Sequence, residues 1–211
     1  MVRFRLFGIP ITVLPWFWIT LAIIGSGSLS SSDDLFRLIL FILAGFFSIL
    51  VHELGHGLTI KKLGAPTEIV LQAFGGFATY PRNRFNRKQD FLVTAAGPAI
   101  QLVLAAIIFA IQHNLSEDIA KTMGGYFLSV LSWISLIWAI FNLMPVFPLD
   151  GGQLLNAVLG PKRKTATHTI GIIVAIVLGA LAIKYGFIFA ALFMGYFAYQ
   201  NFQILKGPDQ A

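Results

Sequence analysis

The sequence contains no cysteine and carries very little charge for its length. Without cysteine the chain can form neither a disulfide bond nor a thiolate metal site. Lys, Arg, Asp and Glu together make up only 11% of the 211 residues, whereas a soluble domain carries about 25% charged residues. Because 57% of the residues are hydrophobic and the mean hydropathy is +0.80, the composition excludes an ordinary soluble domain and predicts an all-α polytopic membrane protein.

Six hydrophobic segments are each close to the roughly 20 residues that a membrane-spanning helix needs. They cover residues 11–25, 35–60, 91–112, 124–145, 169–184 and 186–205, and we expect them to form a single domain. Arg3 and Arg5 before the first segment resemble the start of a signal peptide. Pro10, Pro15 and the bulky run PWFWITLAII favour instead an interfacial anchor followed by a span that is retained.

The basic residues predict the orientation of these spans. Of the 15 Lys and Arg residues, Arg37, Lys121 and Lys184 fall on one side of the predicted spans, and the other twelve fall on the opposite side. The positive-inside rule therefore places both termini and the basic loop at 82–88 in the cytoplasm, as in a multi-pass protein of the cell membrane. Topology and contacts with membrane lipid account for the net charge of +6, so no nucleic-acid partner is expected.

A short β-hairpin is predicted between the second and third spans. Residues 69–74 alternate loosely between two faces, and the FGGF that ends this run is a plausible turn. The segment is too short to span as a helix, so we expect the hairpin to lie at or in the membrane, with VRFRLFGIPITV supplying another strand. A hairpin edge can bind an extended peptide by strand addition; the alternative is an interfacial loop with no binding role.

The stretch ILVHELGHGLTI, residues 49–60, places three ionisable side chains in an apolar span, where each costs roughly 2.5 kcal/mol or more on insertion scales. His52 and His56 are one helical turn apart on the same face, so both imidazoles can reach one metal ion. Glu53 lies beside the first of them, as in the HExxH signature of zinc metalloproteases. Lys61 is about 13 Å from His52 at 1.5 Å per residue, which places the site in the cytoplasmic half of the membrane.

A catalytic zinc usually has three protein ligands, and Asp150 in FNLMPVFPLDGGQLL is the predicted third. Pro145 and Pro148 break the helix, and the two following glycines allow close backbone approach. The alternative is that Asp150 caps a short helix. We interpret His113 and His168, at span ends, as interfacial residues. One zinc ion per chain is expected, although two imidazoles and a carboxylate do not forbid other divalent ions.

Three stretches resemble the site-2 protease family of intramembrane zinc metalloproteases: HELGHG, NLMPVFPLDGG and AAGPAIQLVL. The resemblance implies that His52, His56 and Asp150 bind zinc and that Glu53 is the general base and then the acid. It also implies that Asn142 contacts the substrate backbone or the developing oxyanion; the alternative is an amide that only packs between helices.

The resemblance further implies regulated intramembrane proteolysis, in which transmembrane segments of single-pass protein substrates are cleaved, by a minimal member without a PDZ or CBS domain. The chain departs from the family pattern at Leu14, Gln101 and Gln153, where a His, an Asn and an Arg are common. Two other functions stay open: a divalent metal transporter and a catalytically silent membrane scaffold. Glu53 argues against transport, since a transport site does not need a carboxylate beside a three-ligand shell.

Overall fold

A computed structural model of the chain describes residues 1–27, 31–81 and 84–207, and Arg82 of the basic loop lies outside them. The fold is mostly helical, with one four-stranded sheet. The strands are β1 (Val2–Leu6), β2 (Ile9–Val13), β3 (Glu68–Gln72) and β4 (Gly75–Thr79). The helices are α1 (Pro15–Gly25), α2 (Ser32–Lys62), α3 (Arg87–His113), α4 (Glu117–Ala120), α5 (Met123–Asn142), α6 (Asp150–Leu159), α7 (Lys164–Lys184) and α8 (Ile188–Lys206), with a 3-10 turn at Pro161–Arg163.

Five helices in the described part of the chain are long and apolar enough to cross a membrane: α2, α3, α5, α7 with the turn before it, and α8. They match five of the six predicted segments. The first segment, 11–25, is not helical throughout, because its first residues belong to β2 and α1 has only 11 residues. The β-branched residues of IPITV favour a strand, and Pro15 disfavours helical backbone at the residue before it.

The sheet is larger than the predicted hairpin, because VRFRLFGIPITV, which was expected to supply one further strand, forms two, β1 and β2. The fold is therefore not all-α. Its strand order is β1-β2-β3-β4, with antiparallel pairing at both ends and a parallel pair, β2 and β3, in the middle. The predicted hairpin is formed by β3 and β4, in which Val70 lies opposite Phe77. Ile69 and Leu71 are fully buried, which confirms the predicted alternation, and β4 is an edge strand.

Two compact units make up the chain. The first comprises Met1–Arg84 and Ala96–Ala139, and the second comprises Phe85–Ala95 and Ile140–Ala211. In the first unit, the inner face of the sheet packs on α1 and α2 through a cluster of buried residues: Ile9, Ile11, Val13, Phe17, Leu21, Ile49, Leu50, Leu54, Ile69 and Leu71. In the second unit the buried apolar cluster is formed by Val146, Leu149, Ala175, Met194 and Phe197.

Helix α2 has defined ends that fix where its polar residues lie. The Ser31 hydroxyl accepts a hydrogen bond from the Asp34 backbone N–H at 3.2 Å, and the Asp34 carboxylate accepts one from the Ser31 N–H at 3.0 Å, which is a capping box. Lys61 and Lys62 occupy the last turn, where cations favour the helix dipole. His52, Glu53 and His56 therefore belong to the carboxyl-terminal half of this long helix.

Candidate metal centre

His52 and His56 lie one turn apart on α2 with their imidazoles facing each other. Both are buried, and their Nε2 atoms are 3.1 Å apart. Two imidazole ligands on a tetrahedral zinc ion, each with a Zn–N bond of about 2.0–2.1 Å, would have their nitrogens about 3.3 Å apart. The pair is therefore spaced as two ligands of one ion would be.

Helix α3 leaves room for these imidazoles at Gly97. A Cβ built at Gly97 would overlap the His56 ring, and one built at Gly55 of α2 would overlap the Ala96 carbonyl of α3. The two helices are thus in contact through glycine where the histidines lie. Any side chain at position 97 would have to displace His56, so this glycine forms a wall of the candidate centre.

The other face of His52 contacts a buried polar cluster that was not predicted from the sequence. His52 Nδ1 lies 2.9 Å from Gln101 Oε1, and the Gln101 amide nitrogen donates to the Ser48 hydroxyl at 2.9 Å and to the Ser48 carbonyl at 3.3 Å. The Ser135 hydroxyl donates to that of Ser48 at 3.0 Å. Helical spacing is the sequence signal that could have predicted this cluster. Ser48 precedes His52 by one turn of α2, and Gln101 follows Gly97 by one turn of α3.

Glu53 is buried against the hairpin. It is 3% exposed, and a Cβ at Gly76 of β4 would lie 2.7 Å from Glu53 Cγ and 2.9 Å from Cδ. Gly75, beside it, has φ +121°, a conformation that favours glycine. The two glycines of FGGF therefore serve different purposes: Gly75 shapes the turn, and Gly76 lets the backbone of β4 lie directly on the predicted general base.

Asp150 is the first residue of α6 and is buried. Leu149, not Asp150, occupies the N-cap position, so the capping alternative is wrong. A Cβ at Gly151 would overlap the Leu143 carbonyl, and one at Gly152 would overlap the backbone of Phe147. The segment between α5 and α6 therefore folds back over the start of α6, and the two glycines after Asp150 make that close approach possible.

A second buried polar cluster holds this segment. His168 of α7 is 5% exposed and therefore lies within the protein and not on its surface, whereas His113 is exposed at the end of α3. His168 Nδ1 lies 2.8 Å from Asn201 Oδ1, and the Asn201 amide nitrogen donates to the carbonyls of Phe147 at 2.7 Å and Phe197 at 2.8 Å. The segment before Asp150 is thereby joined to α7 and α8.

Among the residues that the structure describes, His52, His56 and Asp150 form a candidate metal site. All three residues are buried, and each offers one ligand atom to an ion. Two imidazoles and one carboxylate are a donor set that catalytic zinc accepts, so the residues present fit the expected ion. Asn142 is the last residue of α5 and is half-buried; its role stays a prediction.

Comparison with known proteins places this arrangement in a family. The sequence model for peptidase family M50 matches residues 40–125 and 113–183, which include both polar motifs. The chain belongs to this family. Its fold is that of a site-2 protease, since it is similar to the site-2 protease from Methanocaldococcus jannaschii with a TM-score of 0.66 and 25% identity, over 96% of this chain and 94% of that one.

Curated relatives of this M50 chain are longer than it is. A zinc metalloprotease of Methanocaldococcus jannaschii is 30% identical over 213 residues, which is 96% of this chain and 60% of the relative. A Synechocystis sp. relative is 33% identical over 184 residues, covering 81% of this chain and 46% of its own length. The chain thus spans about half the length of these relatives.

Proposed function

We propose that the chain is an intramembrane zinc metalloendopeptidase that cleaves transmembrane segments of single-pass membrane proteins. The observation that carries the proposal is the candidate metal site itself: His52 and His56, on an apolar helix long enough to cross a membrane, together with Asp150. Burying such groups is costly unless they are paired or bind a metal. The adjacent Glu53, also buried, is placed to act as the general base that hydrolysis requires.

In the proposed mechanism, His52, His56 and Asp150 hold one zinc ion. When bound, zinc supplies a Lewis acid that polarises the peptide carbonyl and lowers the pKa of water to about 7. The Glu53 carboxylate takes a proton from the attacking water and returns it to the leaving amine. The Asn142 amide donates a hydrogen bond to the substrate backbone or to the developing oxyanion.

The proposed substrate-binding element is the outer edge of β4, the edge that pairs with no strand in the described part of the chain. Cleavage requires the substrate helix to unwind, and unwinding exposes backbone groups that must be satisfied within the membrane. Strand addition to β4 would satisfy them, and Gly76 of β4 packs on Glu53. A substrate strand on this edge would therefore lie beside the general base.

The same contact supports a hairpin that enters the membrane. Glu53 is eight residues before Lys61 on α2, or about 12 Å along the helix axis. Strand β3, with five residues, has a length of about 16 Å. A hairpin that starts near the cytoplasmic end of α2 can thus place its FGGF turn at the depth of Glu53, as the packing of Gly76 on Glu53 requires.

We also propose a sixth membrane crossing, formed by strand β2 followed by helix α1. Helix α1 alone is about 16 Å long, roughly half of a 30 Å hydrocarbon core. The preceding β2 adds up to about 16 Å, and its backbone is paired on both sides, with β1 and with β3, as a strand in a membrane requires. Six crossings place the start of β2 and the end of α8 on the same side, which the basic residues identify as cytoplasmic.

Single engineered cysteines test this topology, because the native chain has none. Lys162→Cys should react with a membrane-impermeant maleimide only when the cytoplasmic face is accessible, and Lys121→Cys only from the opposite face. Gly27→Cys, after α1, should label as Lys121→Cys does. Labelling of Gly27→Cys from the cytoplasmic face would contradict the sixth crossing.

Zinc content and cleavage, measured together, test the activity. Wild type, Glu53→Gln and Asp150→Ala are purified in detergent, zinc per chain is quantified, and each protein is incubated with a panel of single-pass substrates. We expect one zinc and cleavage in the wild type, zinc without cleavage in Glu53→Gln, and loss of both in Asp150→Ala. Glu117→Gln and Asp118→Ala, at exposed positions of α4, are the matched controls and should resemble the wild type.

The opposite pattern would favour another function. If the wild type cleaves no substrate of the panel but moves zinc into liposomes in a manner that depends on His52, the chain is a transporter. If Glu53→Gln cleaves as fast as the wild type, Glu53 is not the general base.

A further inference from the structure

We infer that Gln101 is a positioning residue for the metal site: it fixes His52 in the tautomer that carries its proton on Nδ1 and directs the Nε2 lone pair towards the ion. The inference rests on the proposed function and deepens it, because it assigns a role in the same site to a residue outside the predicted ligand set. Gln101 is fully buried, so a polar side chain there must have partners.

The orientation of the Gln101 amide follows from the carbonyl of Ser48. A carbonyl oxygen only accepts hydrogen bonds, so the amide atom 3.3 Å from the Ser48 carbonyl must be the nitrogen. The flipped amide would place two acceptor oxygens against each other. The Ser48 carbonyl therefore fixes the orientation of the Gln101 amide, with Oε1 towards His52.

The tautomer of His52 follows from the orientation of that amide. Gln101 Oε1 can only accept, so His52 Nδ1, at 2.9 Å, must be the donor and must carry a proton. In the neutral imidazole, Nε2 then has the lone pair. This is the atom that lies 3.1 Å from His56 Nε2, on the side where the candidate ligands meet.

The cluster is also built to hold the ring in place. Ser48 and His52 are one turn apart on α2, and Ser135 of α5 donates to the Ser48 hydroxyl at 3.0 Å. Ser48, Gln101 and Ser135 all have 0% exposure, so water does not compete for these bonds. Partners of this kind orient a ligating histidine, and their loss typically lowers metal affinity about 10–100-fold.

The chain supplies a matched control on the same helix. Gln112 of α3 donates to the Ser129 hydroxyl at 2.7 Å and accepts from the Ser132 hydroxyl at 3.1 Å, both on α5. Its partners are thus the same residue type on a neighbouring helix, but it contacts no candidate ligand. Gln112→Met removes an interhelical Gln–Ser contact without touching His52.

The test measures zinc affinity by chelator competition on the metal-depleted full chain in detergent. Gln101→Met, which keeps the length of the side chain but cannot accept from Nδ1, should bind zinc about 10–100-fold more weakly than wild type. Gln101→Glu restores an acceptor and should recover most of that affinity. Gln112→Met should bind as wild type does. Equal affinity of Gln101→Met and wild type would overturn the inference while leaving the proposed function intact.

A measurement on the unmutated chain keeps the inference testable if Gln101→Met does not fold. In protein with ¹⁵N-labelled histidine, the zinc-bound form should show His52 protonated at Nδ1 and coordinated through Nε2. Coordination through Nδ1 would overturn the inference. If wild type binds no zinc at all, and His52→Ala is indistinguishable from it in chelator competition, the proposed function fails and the inference fails with it.

Discussion

Gln101 in the first unit and Asn201 in the second are two buried amides with nearly the same bonding. Each has its nitrogen fixed by a backbone carbonyl, that of Ser48 for Gln101 and that of Phe147 for Asn201. Each then presents its oxygen to a histidine Nδ1, at 2.9 Å for His52 and 2.8 Å for His168. The chain uses one amide–imidazole contact twice.

The two contacts differ in the surroundings of the imidazole on the side away from the amide. Nε2 of His52 faces a second imidazole at 3.1 Å, whereas the His168 ring packs edge-on against Phe147 with the ring centroids 5.8 Å apart. The first contact therefore prepares a metal ligand, and the second anchors the segment that precedes Asp150. Loss of the first should reduce metal binding, and loss of the second should reduce stability.

Two glycine substitutions, one beside each polar cluster, should show the largest difference in effect between the clusters. Gly97→Ala places a methyl group in the His56 ring, and Gly171→Ala places one 2.9 Å from Asn201 Oδ1. Because a misplacement of about 1 Å can cost 10²-fold in rate, we expect Gly97→Ala to lose about 10²-fold in cleavage and much of its zinc. Gly171→Ala should lower thermal stability and leave the zinc content unchanged. Equal zinc loss in both would contradict the division of roles.

Asn201→Leu tests the second cluster alone. It leaves the buried His168 Nδ1 and the part-buried Phe147 carbonyl without their amide partner, and a fully buried group of this kind costs about 1–3 kcal/mol. The free energy of unfolding in detergent should fall by more than it does in Gln112→Met, whose amide is only partly buried. An Asn201→Leu protein as stable as wild type would show that the cluster does not anchor the segment.

Gly76→Ala leaves both clusters intact and probes Glu53. The added methyl group would lie 2.7 Å from both Glu53 Cγ and Leu71 Cδ2, so β4 or these side chains must shift. We expect roughly a tenfold loss of cleavage with zinc affinity unchanged, measured by the same chelator competition. Gly195→Ala, with open space around its Cβ, is the control. A fall in zinc affinity in Gly76→Ala would mean that β4 supports the ligands as well.

Ser31→Ala should have the smallest effect. It removes the capping box at the start of α2, which typically costs about 1 kcal/mol, at the end of the helix remote from His52. Stability should fall slightly, and both zinc affinity and cleavage should be retained. A change in zinc affinity would indicate that the metal ligands depend on the whole length of α2.

Local patterns were sufficient to predict the main parts of the fold and of the candidate site. Five of the six spans predicted from hydropathy correspond to long apolar helices, because each helix carries its own signal over about 20 residues. The HExxH spacing predicted the His52–His56 pair because one helical turn brings them together. Prolines and glycines marked the broken segment at Asp150, where the backbone does fold back.

The parts that were missed depend on contacts between distant residues. Gln101 is 49 residues from His52 in sequence, and their contact depends on the register of α3 against α2, which no periodicity specifies. The burial of His168 depends on Asn201, 33 residues later. The first predicted span was wrong in its initial residues because β2 pairs with β3, and this partner lies beyond the whole of α2.

The position of β4 at the edge of the sheet, with Gly76 against Glu53, has a consequence for the products. Successive residues of a strand point to opposite faces, so a slip of one residue reverses every side chain of an added peptide, and a slip of two restores the pattern. Under the proposed strand addition, a substrate held on this edge should therefore yield a ladder of fragments that differ by two residues, with side-chain preferences at every second position around the cut bond.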